Sequence, residues 1–417
     1  KMIKSNPGII LIIPCSSYRT NAFIEAVKRL ELEVLILTND TQVFEGISQN
    51  SIISLNFNHW TNRITEIRLW SSKNNLTSVI GVDEESVMLA AEISKELGIV
   101  HNSIESVKKT RDKFLLRTCL KNNNLPSPWF NRFAIKENPK NLIKVINFPC
   151  VLKPTFLSAS QGVIRVDNKS DFIEGFKMLK ELLARHEISR RNKEQSNWIL
   201  IEEYIPGKEI SIEGLVLNGK LKPLTLFDKP EPLEGPTFPE TFFITPSKLE
   251  NKTQVILFEL AQQVIEALGI KHGPVHIEAR INVEGIFILE CAVRSIGGLC
   301  SKILQFSGGI SLEELIIRSS LGRNVEKVQK NSKAKGIMIM PVIHGGVLKE
   351  IKGREKALSV KGITGLETTV TKGERLEPLP KEAKYPGFIF AEGRNQDAVE
   401  NSLRKAWSMI EILFEDC

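Results

Sequence analysis

The chain has 417 residues, too many for one ordinary hydrophobic core, so two or three domains are expected. Hydrophobic residues make up 42% and charged residues 25%, the balance of a soluble globular protein, and no stretch approaches the roughly 20 apolar residues of a membrane span. The net charge of +7 is dispersed, and its densest cluster, Arg190-Arg191-Asn192-Lys193, has no aromatics interleaved, which argues for a solvated loop over a nucleic-acid patch.

The first hundred or so residues alternate strand and helix signals, which implies a parallel α/β layer. Gly8 to Pro14 reads as a strand, Asn21 to Leu30 as an amphipathic helix and Val34 to Thr38 as a second strand. The run Ile9 to Ile13 is too short for a signal-peptide core. Ser78 to Val82 is another strand, and a helix over Glu84 to Leu97 ends at Gly98, a usual C-cap residue. Pro14-Cys-Ser-Ser-Tyr-Arg-Thr20 follows the first strand where a GxGxxG would stand, so a dinucleotide-binding Rossmann site is disfavoured. Cysteines at 15, 119, 150, 291, 300 and 417 form no CxxC and no zinc-like cluster, which fits a reducing cytoplasm with free thiols.

Residues 103 to 122 predict one basic helix containing Arg111-Asp112-Lys113, and Leu125-Pro-Ser-Pro128 then breaks the chain. A small α/β module is expected over about 130 to 200. It includes the strand Pro149 to Pro154 and the polar loop Thr155 to Gly162. Lys153 shares a strand face with Val151 and so points inward, where a lysine needs a partner or a ligand; the alternative is a lysine snorkelling out at the strand end. Ser158, Ser160 and Gly162 lie in a loop of small residues whose N–H groups and hydroxyls can fold over phosphates, although it lacks the Walker pattern.

Strands Trp198 to Glu203, Ile210 to Leu217 and Lys220 to Phe227 follow, the last two joined by Asn218-Gly219, a type I′ turn signal. A Pro-rich loop from Lys229 to Pro246 is long enough to serve as a lid or wall, and a helix over about Lys252 to Leu268 comes next. That helix leads into the hairpin Pro274–Asn282, Val283-Glu284-Gly285 and Ile286–Arg294, which carries two glutamates. A three-residue loop with Gly285 left-handed would set Asn282 against Ile286 and Glu278 against Glu290. Like charges about 5 Å apart across a hairpin repel, so a shared proton or a bridging divalent cation is required, and hard oxygen ligands suit Mg²⁺ or Mn²⁺. A register one residue off would instead leave one Glu in solvent. From about 330, short strands and turns such as His344-Gly345-Gly346 lead to a closing helix over Gln396 to Leu413.

If ATP supplies the phosphate, Lys113 and Lys153 are the candidate cations for it. The backbone of Glu202, Glu203, Tyr204 and Ile205 can read adenine, and Glu209 can accept from ribose hydroxyls. Arg294, four residues past Glu290 and followed by Gly297-Gly298, can neutralise a transferring phosphoryl group or clamp a carboxylate; a structural salt bridge is the alternative.

Taken in order, these motifs resemble the ATP-grasp superfamily, and within it the carboxylate-amine ligases that include the bacterial L-amino acid ligases. Arg111-Asp112-Lys113 and Val151-Leu152-Lys153 resemble the two ATP lysines, and Ile201 to Ser211 the adenine hinge. His276-Ile277-Glu278 and Leu289-Glu290 through Gly298 resemble the metal and phosphate motifs, and Phe238-Pro239-Glu240 the stretch preceding them. The resemblance implies an ATP-grasp fold of α/β and α+β character. Its parts would be an N-terminal parallel α/β (pre-ATP-grasp) domain at 1–102, a linker helix at 103–128, a small α/β lid at 129–203, and an antiparallel-sheet domain at 204–417 with an extension from about 330. It also implies ATP and Mg²⁺ or Mn²⁺ as cofactors, with Glu278 and Glu290 on the metal and, together with Arg294, catalytic. Small carboxylate and amine substrates are implied, touched by Glu240, His276, Arg294, Gly297 and Gly298; the family analogy allows a homodimer. A carboxylate would attack the γ-phosphate to give an acyl phosphate, and an amine would then displace phosphate. A carboxylase, a purine-pathway synthetase and a catalytically silent ATP-binding regulator are the alternatives. Many members read Glu-x-Asn-x-Arg, whereas Ala292 stands at the Asn here, and the phosphate loop has Ser and Ala where others have glycine.

Overall fold

The computed structural model describes residues 6–40, 44–190, 192–329 and 332–415. Arg191 of the basic cluster and Cys417 lie outside the described residues. Three sheets organise the molecule. The first is parallel, in the order β3-β2-β1-β4, from β1 (Gly8–Ile12), β2 (Glu33–Thr38), β3 (Ile52–Ser54) and β4 (Leu76–Gly81). Both faces of β1 are buried, as an unbroken apolar run requires when helices cover a parallel sheet. Those helices include α1 (Thr20–Arg29), α2 (Ile64–Lys73) and α3 (Val87–Leu97), and α3 ends on Gly98 in the left-handed region, φ 68°.

Two expectations for this half need correction. The helix expected from Glu84 begins at Val87, because Ser86 Oγ accepts from Asp83 N at 3.1 Å and donates to Asp83 O at 2.9 Å, closing a turn. The single helix expected over 103 to 122 is two, α4 (Ile104–Arg111) and α5 (Lys113–Asn122). Asp112 between them is extended, φ −119° and ψ 110°, and its carboxylate caps α5 by accepting from Phe114 N and Leu115 N.

The second sheet is antiparallel, ordered β5-β8-β6-β7 from β5 (Phe130–Ala134), β6 (Cys150–Pro154), β7 (Ile164–Val166) and β8 (Trp198–Glu203). Helix Lys169–Ala184 packs Phe172, Phe176 and Leu179 into its core. The third sheet has eight strands. It begins β13-β12-β9-β10-β11, from β9 (Lys208–Leu217), β10 (Lys220–Asp228), β11 (Phe242–Thr245), β12 (His272–Asn282) and β13 (Gly285–Ala292). It continues through Ala334–Ile339, Gly387–Gly393 and Ile363–Thr368. Asn218 and Gly219 both have positive φ, 52° and 82°, as a type I′ turn needs. Helix Asn251–Leu268 covers one face through Leu257, Ala261, Val264 and Ile265.

The stretch Lys229 to Pro246 is not all loop, since it contains β11, which pairs with Ala334–Ile339. The closing helix stops at Trp407; Glu411–Phe414 is a strand against Gly346–Lys352.

The hairpin pairs Glu278 directly with Glu290, by a different route from the one expected. Asn282 pairs with Gly285, so the loop has two residues, Val283 and Glu284, and Ile281 faces Ile286. A bulge at Leu289 then advances β13 by one residue: Ala279 pairs with Ile288 and Glu278 with Glu290. That bulge decides where Glu290 points. Ile286 and Ile288 face the helix-covered core, and strict alternation would send Glu290 the same way. The extra residue flips the phase and turns Glu290 toward the opposite face.

Candidate functional site

A cavity of about 850 Å³ lies where the three sheets meet, within the size range of small-molecule sites. Glu278, Glu290 and Arg294 line it, as do His276, Glu240, Gly297 and Gly298. So do Lys113, Lys153, Ser158 and Ser160, and the segment Glu202, Glu203, Tyr204 and Ile205 with Glu209. Gly162 does not. Its N–H donates to Pro380 O at 2.8 Å, and a Cβ there would meet Pro154 at 2.7 Å, so it shapes the loop rather than facing the cavity. Ala159 and Ser160 hold positive φ, 53° and 58°, an uncommon pair for residues with side chains and a mark of a built turn. Gln161 Nε2 also donates to Lys381 O at 3.0 Å, so the C-terminal segment braces this loop.

The inward lysine has a partner. Lys153 Nζ bonds Glu202, which also accepts from Arg117 Nε at 2.9 Å. Burial alone would raise the Glu202 pKa, but the charges of Arg117 and Lys153 outweigh it and hold the carboxyl at about 2. Burial depresses the Lys153 pKa, and Glu202 opposes that shift. The Glu202 side chain is thus a tether for Lys153. Along the expected base-reading backbone, Tyr204 N donates to Pro149 O at 3.3 Å and Ile205 O accepts from Arg280 at 2.8 Å. Lys113 sits at the start of α5; its Nζ donates to Leu157 O at 2.7 Å and lies 3.4 Å from Glu290.

Beside Glu278 lies a buried network. Lys229 Nζ bonds Glu240, Glu209 at 2.8 Å and Glu278 at 3.0 Å. Carboxylate oxygens of these three glutamates fall within 4.8 Å of one another, close enough for a metal, and the ammonium stands among them. Arg280 Nε donates to the other oxygen of Glu209 at 3.0 Å. His276 bridges Glu213 at 3.1 Å and Glu278 at 3.4 Å. Burial would lower the His276 pKa, yet the two carboxylates raise it to about 9, so the ring is an imidazolium at neutral pH. Burial and the Glu278 charge lift Glu240 to about 8, while Lys229 and His276 keep Glu278 ionised, so the shared proton sits on Glu240.

Arg294 is anchored from the first sheet: its Nε donates to Glu84 Oε2 at 2.9 Å. Burial opposes the ionisation of Glu84, but Arg294, Arg111 and Lys113 keep its pKa below the usual value. Glu84, Arg117, Lys229 and Arg280 were not expected here. Arg117 is legible as the residue one turn after Lys113, and Arg280 as the next same-face residue after Glu278. Glu84 follows a parallel strand at its C-terminal end, where such sheets carry their sites. Lys229 gives no local signal, because its three partners come from distant segments.

Glu278 and Glu290 fit a divalent ion by their chemistry: opposed carboxylates, facing the cavity, each now beside a protein cation. Ala292, at the position often Asn, pairs with His276 and adds no donor.

A pH dependence follows. His276 at about 9 and Glu240 at about 8 bind protons in the fold that the unfolded chain, at 6.5 and 4.5, has already released. Raised pKa values give stability that is fully present below the unfolded values and lost as pH rises, so melting temperature should fall from about pH 4.5, where the Glu240 contribution begins to go, to about pH 9, where that of His276 is exhausted. His276→Gln should flatten the upper part of that fall in thermal melts; an unaltered profile would remove His276 from the account.

Residues 146–303 match the ATP-grasp domain model, and residues 338–415 match the L-amino acid ligase C-terminal domain 2. An alanine–anticapsin ligase from Bacillus amyloliquefaciens is 26% identical over 241 residues, covering 54% of this chain and 50% of the ligase. The chain thus aligns with about half the length of that relative. Among solved structures, the L-amino acid ligase from Bacillus licheniformis superposes over 99% of this chain and 100% of its own, with TM-score 0.82 and 22% identity. A carboxyaminoimidazole ribonucleotide synthase from Aspergillus clavatus, solved with ATP, gives TM-score 0.70 at 15% identity over 97% and 98% of the two chains.

Proposed function

We propose that this chain, an ATP-grasp protein by fold and by domain content, is a ligase that joins a carboxylate to an amine, with an amino acid as one substrate, and releases ADP and phosphate. The observation that carries the reading is the directly opposed Glu278–Glu290 pair, which faces the same cavity as Lys113, Lys153 and Arg294. The matched region at 338–415 favours an amino acid over the small acid of a carboxylase.

Lys113 and Lys153 bind the nucleotide phosphates, and Glu202 fixes where Lys153 can reach. The Glu203–Ile205 segment holds the base. Glu209 has lone pairs left for the ribose beside those taken by Lys229 and Arg280. Mg²⁺, held by Glu278 and Glu290, would neutralise phosphate charge. Arg294, oriented by Glu84, stabilises the negative charge that develops at the transferring phosphoryl group and at the acyl carbon. The loop Ser158–Gly162, braced by Pro380 and Lys381, keeps water from the activated acid. The proposed units are the first sheet to residue 102, a linker at 103–128, a lid at 129–203, and the remainder as the large domain. Cys119, Cys150, Cys291 and Cys300 are free thiols, which fits a reducing cytoplasm.

The test is a phosphate-release screen over pairs of carboxylates and amines with Mg-ATP, and absence of turnover with every pair would refute the reading. Lys153→Ala should weaken nucleotide binding about ten- to a hundredfold, the scale of one lost charge-assisted hydrogen bond. Unchanged nucleotide affinity by calorimetry would take Lys153 out of the site.

A further inference from the structure

Besides the lysines and the base-reading segment, the cavity is lined by an apolar and aromatic set, Tyr18, Phe243, Ile296, Cys300, Ile339 and Tyr385. The Tyr18 and Tyr385 rings lie 6.1 Å apart, and each packs edge-on against buried Phe388, at 5.7 and 5.8 Å. These residues come from five separate segments of the chain, so the chamber exists only in the folded molecule. It adjoins Arg294: Gly298 backs onto Phe388 and Cys300, and an added Cβ at Gly297 would meet nothing within 4 Å.

The strongest charges acting on Tyr18, Tyr385 and Cys300 are those of Glu240, Glu213, Lys229, Arg19, Arg294, Lys384 and Glu374. Each of these is already paired within the protein. Glu240 is bonded to Lys229, Glu213 to His276, Arg19 to Glu313, Arg294 to Glu84, and Lys384 to Glu374. A charged substrate side chain among these rings would lose its water and could pair with these charges only by disrupting an existing ion pair. An apolar or aromatic one would gain burial against rings and aliphatic carbons.

We infer that the amino acid whose carboxylate faces Arg294 carries a large uncharged apolar or aromatic side chain, selected by Tyr18, Phe243, Cys300, Ile339 and Tyr385. The inference rests on the ligase reading for the carboxylate's place, but the chamber's preference can be measured by binding alone. Calorimetric titrations with L-phenylalanine, L-leucine, L-aspartate, L-lysine and glycine, in the presence of Mg²⁺ and a non-hydrolysable ATP analogue, provide that measurement. Phenylalanine or leucine should bind at least about tenfold more tightly than the charged amino acids or glycine, the scale of discrimination an apolar pocket supplies.

Gly297→Leu, at a glycine outside the left-handed region and with open space ahead of it, should weaken phenylalanine binding about tenfold or more. Ile339→Ala should shift the preference toward larger rings. Tighter binding of aspartate, lysine or glycine, or no effect of Gly297→Leu on phenylalanine, would overturn the inference. Apolar binding as expected with no phosphate release in any amine pairing would uphold the chamber's preference and sink the ligase reading instead.

Discussion

Lys229→Met should destabilise the protein by about 3–5 kcal/mol, the scale for removing one partner of a buried ion pair. Lys229 is 4% exposed and is the shared cation of Glu209, Glu240 and Glu278. Without it, three carboxylates whose oxygens lie within 4.8 Å of one another face each other in low dielectric. Protonating one of them, already the state of Glu240, relieves only part of that repulsion. Adding Glu240→Gln to Lys229→Met should recover part of the loss, because one potential charge is gone while its hydrogen-bonding shape is kept. Urea unfolding of the single and double variants is the measurement. A single variant within about 1 kcal/mol of the parent would show that the cluster relaxes without its lysine.

Glu290→Gln should lower turnover by about a thousandfold, corresponding to the several kcal/mol of charge stabilisation that a carboxylate-held metal contributes to phosphoryl transfer. Its melting temperature should hardly move. Glu290 touches only one described cation, Lys113, at 3.4 Å, and a partly exposed pair at that distance adds little to stability. Glu278→Gln should match it in lost activity but also lower stability, since Glu278 is bonded to Lys229 and His276. Single-turnover phosphate release with thermal melts separates the two. Near-normal turnover in Glu290→Gln would sink the shared-metal reading, however stable the variant.

The contrast between these glutamates also shows what local sequence can carry. Their identity, their place on a hairpin and their mutual opposition follow from alternation and a glycine turn. The route to that opposition does not: a two-residue loop and a bulge at Leu289 offset each other, and only packing of Ile286 and Ile288 against the helices selects that combination. The break at Asp112 was similarly hidden, because a helix-compatible run on either side masks a residue whose carboxylate is more valuable as a cap. The Thr155 to Gly162 loop was legible as a loop of small residues. That Gly162 turns its N–H to Pro380 was not, since the partner lies far along the chain.

The sequence by itself determined the strand and helix periodicities, the inward Lys153, the two acids of the hairpin and the motifs that resemble an ATP-grasp domain, because each depends on residues within a few positions of one another. Tertiary structure alone decided which charges offset which, Glu202 beneath Lys153, Glu84 behind Arg294 and Lys229 among three glutamates, and it alone built an aromatic chamber from separate segments. The physical reason is that an ionisable group's state and role depend on every charge and apolar surface brought near it in space. In this fold those neighbours come from segments well separated along the chain.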